Sequence, residues 1–194
     1  MWNLPSRTSL KSSRHRRLTK SHLPVKNAEV RFYFDADILG LAHVVCRLRA
    51  DCTYPADPGR TIKRHARPPC EIPQRAKDRE WIPAVAERGW VAITRDADIQ
   101  THLSLLQLVK EYGLRLVTLS GKEAVAPWEQ LEILMPHWRK IEEIHQRQGP
   151  MILGATRTSL RYINIDAAIG KIRDGRQQPG DRNPHRSSGP PTLF

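Results

Sequence analysis

The stretch VRFYFDADILGLAHVVCRL, residues 30–48, contains the change of periodicity that decides the fold. Val30, Phe32 and Phe34 alternate with Arg31 and Tyr33 in a β-branched and aromatic run, which predicts a buried strand entering Asp35. From Ile38 the spacing changes. Ile38, Leu41, Ala42, Val45 and Leu48 recur as the stripe of an amphipathic helix, with Asp37 at its N-cap. A strand that ends in acid and turns into a helix is the first half of a strand–helix–strand unit, so the rest of the chain should repeat it.

It does so on both sides of a long polar loop. A short strand near Cys52 to Tyr54 is followed by a Pro-, Arg- and His-rich segment from Pro55 to about Lys77, long enough to serve as a functional element. A helix is predicted after Asp78 through Trp81, Ile82, Val85 and Ala86, with Pro83 shifting or kinking its start and Gly89 ending it. Trp90 to Thr94 reads as an apolar strand that delivers Arg95, Asp96 and Asp98. Leu103 to Lys110 is then a helix, Leu114 to Leu119 a strand, and Trp128 to Ile144 a long helix bent at Pro136. Met151 to Ala155 is the last strand. The alternation predicts an α/β fold, a three-layer arrangement with a parallel β-sheet of about five strands and helices on both faces.

The 194 residues suffice for one domain. The net charge of +12 is unevenly spread: residues 1–28 carry seven Lys/Arg and no acid, residues 29–170 balance at +2, and residues 171–194 add +3. Both flanks lack apolar periodicity, so the expected organisation is a disordered basic extension at 1–28, a folded domain at 29–170 and a disordered tail at 171–194. The first segment is too polar for a signal peptide, and no apolar run approaches the roughly 20 residues of a membrane span. A cytoplasmic protein without membrane contact is expected. Cys46, Cys52 and Cys70 have no CxxC spacing and read as reduced thiols, and the histidines form no metal-ligand pattern.

In open α/β sheets ligands gather at the carboxyl ends of the strands, and the acids of this sequence gather there too. Asp35 and Asp37 follow the first strand, Asp78 opens a helix, and Asp96 and Asp98 follow the third strand. Carboxylates held close together repel, so such a set is best neutralised by a hard dication, Mg2+ or Mn2+, which prefers oxygen ligands and can activate water for attack on a phosphate. Asp37, Asp78 and Asp98 also read as helix N-caps, and Glu80 is the fallback ligand for Asp78. Arg95 either orients a phosphate or pairs with an acid. Thr94, Thr118 and Ser120 suit support of a carboxylate as well as plain turn formation. Lys63, Arg64 and Arg67 of the long loop are candidate contacts to a substrate backbone; the basic flanks support RNA contact only where they act together with the core, and otherwise read as solubilising tails.

The set FYFDADILGLA, KDREWIPAVAERGWVAITRDADI and RLVTLSGKE resembles the PIN-like domains, in particular the VapC-type toxins and their Mut7-C-like relatives, over roughly Val30 to Arg161. The resemblance implies a metal-dependent ribonuclease, with Asp35, Asp78, Asp96 and Asp98 as catalytic acids and the same four together with Asp37 as metal ligands. It also implies the toxin of a toxin–antitoxin module, with an antitoxin protein as partner, and a homodimer. The basic extension before Val30 departs from the pattern, as does the missing acid after the fourth strand, for which Asp98 can substitute.

Two other readings stand beside it. Phe34-Asp35-Ala36-Asp37 also resembles the nucleophile motif of haloacid-dehalogenase-like phosphatases, with Thr118 or Ser120 and Lys122 imitating later motifs; Thr156-Arg157-Thr158-Ser159 then stands where that fold needs an acidic pair. The remaining alternative is a non-catalytic RNA- or protein-binding module.

Overall fold

The computed structural model describes residues 24–96, 102–121 and 124–177. Chain order runs β1 (Lys26–Asn27), β2 (Phe32–Phe34), a single 3-10 turn (Ala36–Ile38), α1 (Leu39–Leu48), β3 (Cys52–Thr53), β4 (Arg60–Ile62), β5 (His65–Arg67), α2 (Asp78–Glu87) and β6 (Val91–Thr94). It continues with α3 (Leu103–Tyr112), β7 (Arg115–Leu119), α4 (Pro127–Ile144), β8 (Met151–Ala155), β9 (Leu160–Ile163) and α5 (Ile165–Gln177). The main sheet has the order β3-β2-β6-β7-β8-β9. Its first five strands are parallel, as expected, and β9 is a sixth, antiparallel to β8.

Strand periodicity builds the three layers. Phe32, Phe34, Val91, Ile93, Val117 and Leu119 face one side, where Leu41, Val45, Leu134, Trp138 and Ile141 of α1 and α4 cover them. The intervening Tyr33, Ala92, Leu116 and Ile152 face the other side, under Trp81, Ile82, Val85, Leu106, Val109 and Ile169 of α2, α3 and α5. Complete burial of an aromatic such as Phe32 or Phe34 contributes about 1.5–3 kcal/mol. The alternation that identified the strand in sequence is thus the alternation that fills both interfaces.

Several boundaries differ from the sequence reading. Residues 24–28, assigned above to the basic extension, include β1, whose Lys26 and Asn27 pair with His65 and Ala66 of β5. The loop from Pro55 to Lys77 contains the β4–β5 hairpin, which forms with β1 a second, three-stranded sheet. The helix α5 runs to Gln177, past residue 171, with Ile169 buried in the second core and Ile172 packed against it. Helix α4 continues through Pro136 as one 18-residue element, and α2 contains Pro83 in its interior.

Helices α1 and α4 approach closely at their starts. A methyl group built on Gly40 would lie 2.5 Å from Pro127 Cγ, so only glycine fits between the two helices. Gly40→Ala should cost about 1–3 kcal/mol by overpacking, despite the better helix propensity of alanine. Denaturant unfolding measures it, and a variant as stable as the parent would show that α4 can shift.

Candidate acidic metal centre

The chain passes from β2 to β3 on one side of the sheet and returns to β6 on the other, which makes the carboxyl ends of β2 and β6 the topological switch point. Phe34 pairs with Ile93, so the next residues, Asp35 and Thr94, emerge side by side. The Asp35 amide donates to the Ile93 carbonyl at 2.9 Å and fixes that register.

Asp35, rather than Asp37, caps the turn that opens α1: its Oδ1 accepts from the Ala36 amide at 2.6 Å. This leaves Asp37 in the first turn, where its Oδ2 accepts from the Arg95 amide at 2.9 Å. Thr94 Oγ1 stands 3.3 Å from Asp35 Oδ2 and 3.2 Å from Asp37 Oδ1, and accepts from the Asp96 amide at 3.0 Å. One hydroxyl has one proton, so it can donate to only one of the two carboxylates. The other faces it with a lone pair against a lone pair, a shortage that a proton or a cation would relieve.

The electrostatics show the same shortage. Asp35 is 9% exposed, and its carboxyl is pushed up to about 7, first by burial and then by the charges of Asp37 and Asp78, against the Ala36 amide and Thr94 hydroxyl. Asp37 lies at the exposed rim and is also raised, first by desolvation and further by Asp96, while the Arg95 amide, Thr94 and the Arg95 charge pull it down. Four acids therefore act on one another: Asp35 with Asp37 and Asp78, and Asp37 with Asp96. An all-oxygen donor set around two crowded carboxylates fits Mg2+ or Mn2+. Among the described residues, no three Asp, Glu, His or Cys side chains stand close enough to hold one ion as arranged; Asp35 and Asp37 are the two carboxylates that meet, on the Thr94 hydroxyl. Asp98 lies outside the described residues, as does Lys122.

The other expected residues are distributed unequally. Asp78 is the first residue of α2 rather than its cap, and its Oδ1 accepts from the Trp81 indole at 3.0 Å. Glu80 reaches back to the Lys77 amide at 2.9 Å, so the fallback ligand is engaged as a helix cap. The exposed Arg95 side chain reaches toward the Val125 carbonyl, 3.5 Å from Nη1. Thr118 donates to the Leu153 carbonyl at 3.3 Å, and Ser120 Oγ lies 3.5 Å from the Thr118 hydroxyl.

The loop cations stand elsewhere. Lys63 and Arg64 form the tip of the β4–β5 hairpin, beside Pro24 and Lys26, and His65 next to them lines a cleft with Arg31 and Asp51 at the amino ends of β2 and β3. This is the opposite edge of the sheet from Asp35. Arg67 is buried: its Nε is 2.7 Å from Asp57 Oδ2, and its Nη1 donates to the Cys46 and Arg49 carbonyls at 2.8 and 3.1 Å. It is a structural cation.

One acid escaped the sequence reading. Glu129, in the first turn of α4, has Oε2 buried without a hydrogen-bond partner among the described residues, and the start of α4 borders the centre through Gly40 and the Arg95–Val125 contact. It sits inside a helical stripe, which gives a carboxylate no distinguishing signal.

A three-layer α/β fold with paired carboxylates at the switch point of a mostly parallel sheet defines an acidic-site α/β protein. Within that class, residues 31–121 match the family described as PIN like domain, a span that includes Asp35, Asp37, Asp78, Asp96 and Asp98 and supports a PIN-like domain there. No curated protein and no solved structure matches the chain.

Proposed function

We propose that this chain is a PIN-type endoribonuclease dependent on Mg2+ or Mn2+, acting in the cytoplasm as the toxin of a toxin–antitoxin module of VapC type, with RNA as substrate and an antitoxin and a second copy of the chain as protein partners. The observation that supports the reading best is the pair Asp35 and Asp37 on one Thr94 hydroxyl, inside the span that matches the PIN-like family. No helix among the described residues is long and apolar enough to cross a membrane.

Bound Mg2+ would neutralise these carboxylates and supply Lewis acidity to a phosphodiester and to the attacking water. The protein residues do the rest. Asp35 is held rigidly by the Ala36 amide and by β2, so its free lone pairs keep a fixed direction. Thr94 spaces Asp35 from Asp37, and the Arg95 and Asp96 amides hold the rim of the centre in register with it. The Arg95 guanidinium lies beside the acids, where it balances charge as an RNA backbone arrives.

Labelled single-stranded RNA incubated with purified protein is expected to be cut only when Mn2+ or Mg2+ is present, and Asp96→Asn should slow the cut at least about 100-fold. Cleavage that persists in EDTA, or at the parental rate in Asp96→Asn, would sink the reading; hydrolysis of phosphomonoesters instead of RNA would favour a phosphatase. Thr94→Val keeps the shape but removes the shared hydroxyl, so Mn2+ affinity measured by titration should fall about 10–100-fold with little change in fold. Unchanged affinity would mean that the hydroxyl serves the strand end alone.

A further inference from the structure

A second polar cavity of about 290 Å3 lies along the outer flank of α1, beside the edge strand β3. His43, Arg47, Tyr54, Arg60 and the buried Asp57–Arg67 pair line it, placing three arginines against one carboxylate. We infer that this cavity binds one nucleotide unit of a single-stranded RNA, with its phosphate between Arg47 and Arg60 and its base against the His43–Tyr54 rings. The inference rests on the RNA-directed reading above and adds a binding site separate from the acidic centre.

Three observations carry it. The first is the cationic lining: no ion pair engages Arg47 or Arg60 among the described residues, so both guanidiniums remain available for a phosphate. The second is the aromatic wall. His43 stands edge-on to Tyr54, with ring centroids 4.9 Å apart, and the exposed imidazole offers a face of the kind on which unpaired bases stack.

The third is the construction of the loop that carries Arg60. Asp57 is 1% exposed; its carboxylate holds the Thr53 hydroxyl at 3.2 Å, the Gly59 amide at 2.9 Å and Arg67, while its carbonyl accepts from the Cys70 amide at 2.8 Å. Ala56 has a φ of 57°, uncommon for a residue with a side chain, and Gly59 has a φ of 78° at a place where a methyl group would lie 2.6 Å from the Arg67 carbonyl. A surface loop held in so specific a shape fixes the backbone that presents Arg60 to the cavity Arg47 also lines, the pre-organisation a binding site needs.

The cavity and the acidic turn are joined by α1. At about 1.5 Å per residue, His43 is about 6 Å and Arg47 about 12 Å along α1 from Leu39, where the helix leaves the acidic turn. An RNA strand with one phosphate at Asp35 and Asp37 would have to span only that axial distance to reach the cavity.

The test measures anisotropy of a labelled single-stranded oligoribonucleotide in EDTA, with full-length protein and the Arg47→Ala/Arg60→Ala variant, alongside Mn2+ titration and circular dichroism. The variant should bind the oligonucleotide about 10–100-fold more weakly and with a shallower salt dependence, while its Mn2+ affinity and spectrum stay unchanged. Arg47→Lys/Arg60→Lys should retain much of the salt dependence, since lysine keeps the charge and loses only the bidentate geometry. Oligonucleotide binding that is equal in parent and alanine variant overturns the inference. So does a loss confined to free mononucleotides, which would assign the cavity to a soluble nucleotide. Weakened RNA binding in a protein that never cuts RNA supports the cavity and refutes the nuclease reading, so the two fail separately.

Discussion

Asp35→Asn is expected to abolish RNA cleavage and, in the absence of metal, to make the protein more stable above neutral pH. The loss of activity follows from removing the carboxylate at the middle of the cluster; stabilisation by a bound dication is worth several kcal/mol, so the rate should fall about 1,000-fold or more. The gain in stability follows from proton linkage. Asp35 titrates at about 7 in the folded chain against an ordinary value of 3.8. Between those values the native state keeps a proton that the unfolded state has released, so stability declines as pH rises from about 4 to about 7 and the deficit is complete above it. At 1.36 kcal/mol per pKa unit the deficit reaches at most about 4 kcal/mol, and with Asp35 only 9% exposed little of it is screened. Asparagine has nothing to titrate. In EDTA, parent protein moved from pH 5 to pH 8 should lose about 2–3 kcal/mol more unfolding free energy than the variant, and Mn2+ should restore the parent alone. Parallel pH profiles in the two proteins would refute the crowding of charge at this site.

The elements that bring Asp35 and Thr94 together were legible because burial imposed a period on the sequence. Phe32 and Phe34 face one core and Tyr33 the other, and that division is visible as alternation in the residues themselves. The β4–β5 hairpin left no such trace. Its strands, Arg60–Ile62 and His65–Arg67, are short and mostly polar with no alternation of buried and exposed positions, and its turn places Lys63 and Arg64 at φ of 46° and 69° without the Asn or Gly that normally marks such a turn. Pairing with β1 supports it, and two residues of β1 carry no readable pattern. Within the acidic set, sequence placed Asp35 and Asp37 together at the end of the first strand, as the structure has them. It could not show that Asp35 caps the turn and leaves Asp37 for the Arg95 amide, because both positions satisfy the same local rule for a helix start.

Arg67 shows why charge alone misleads, and its replacement should be the costliest to stability of the substitutions considered. Lys63, Arg64 and Arg67 look alike in sequence as loop cations suited to RNA. Arg67 instead turns inward, with 3% of its side chain exposed against 1% for Asp57, and its Nη1 closes the carbonyls of Cys46 and Arg49 at the end of α1. Arg67→Ala removes an ion-pair partner and two carbonyl contacts and leaves a buried carboxylate uncompensated, for which about 3–5 kcal/mol is expected, or a fall in Tm of roughly 10 °C. Lys63→Ala and Arg64→Ala, at exposed turn positions, should stay within about 0.5 kcal/mol. If the cost comes from the orphaned charge, Arg67→Leu combined with Asp57→Leu should recover much of it, whereas a cost in helix capping alone would leave the double variant as unstable as the single one. RNA binding separates the roles further. A phosphate contact at Arg67 would weaken binding in a protein of parental stability, whereas the buried pair predicts the reverse order: the loop from Tyr54 to Arg60 loosens first, and the cavity it frames is lost as a consequence.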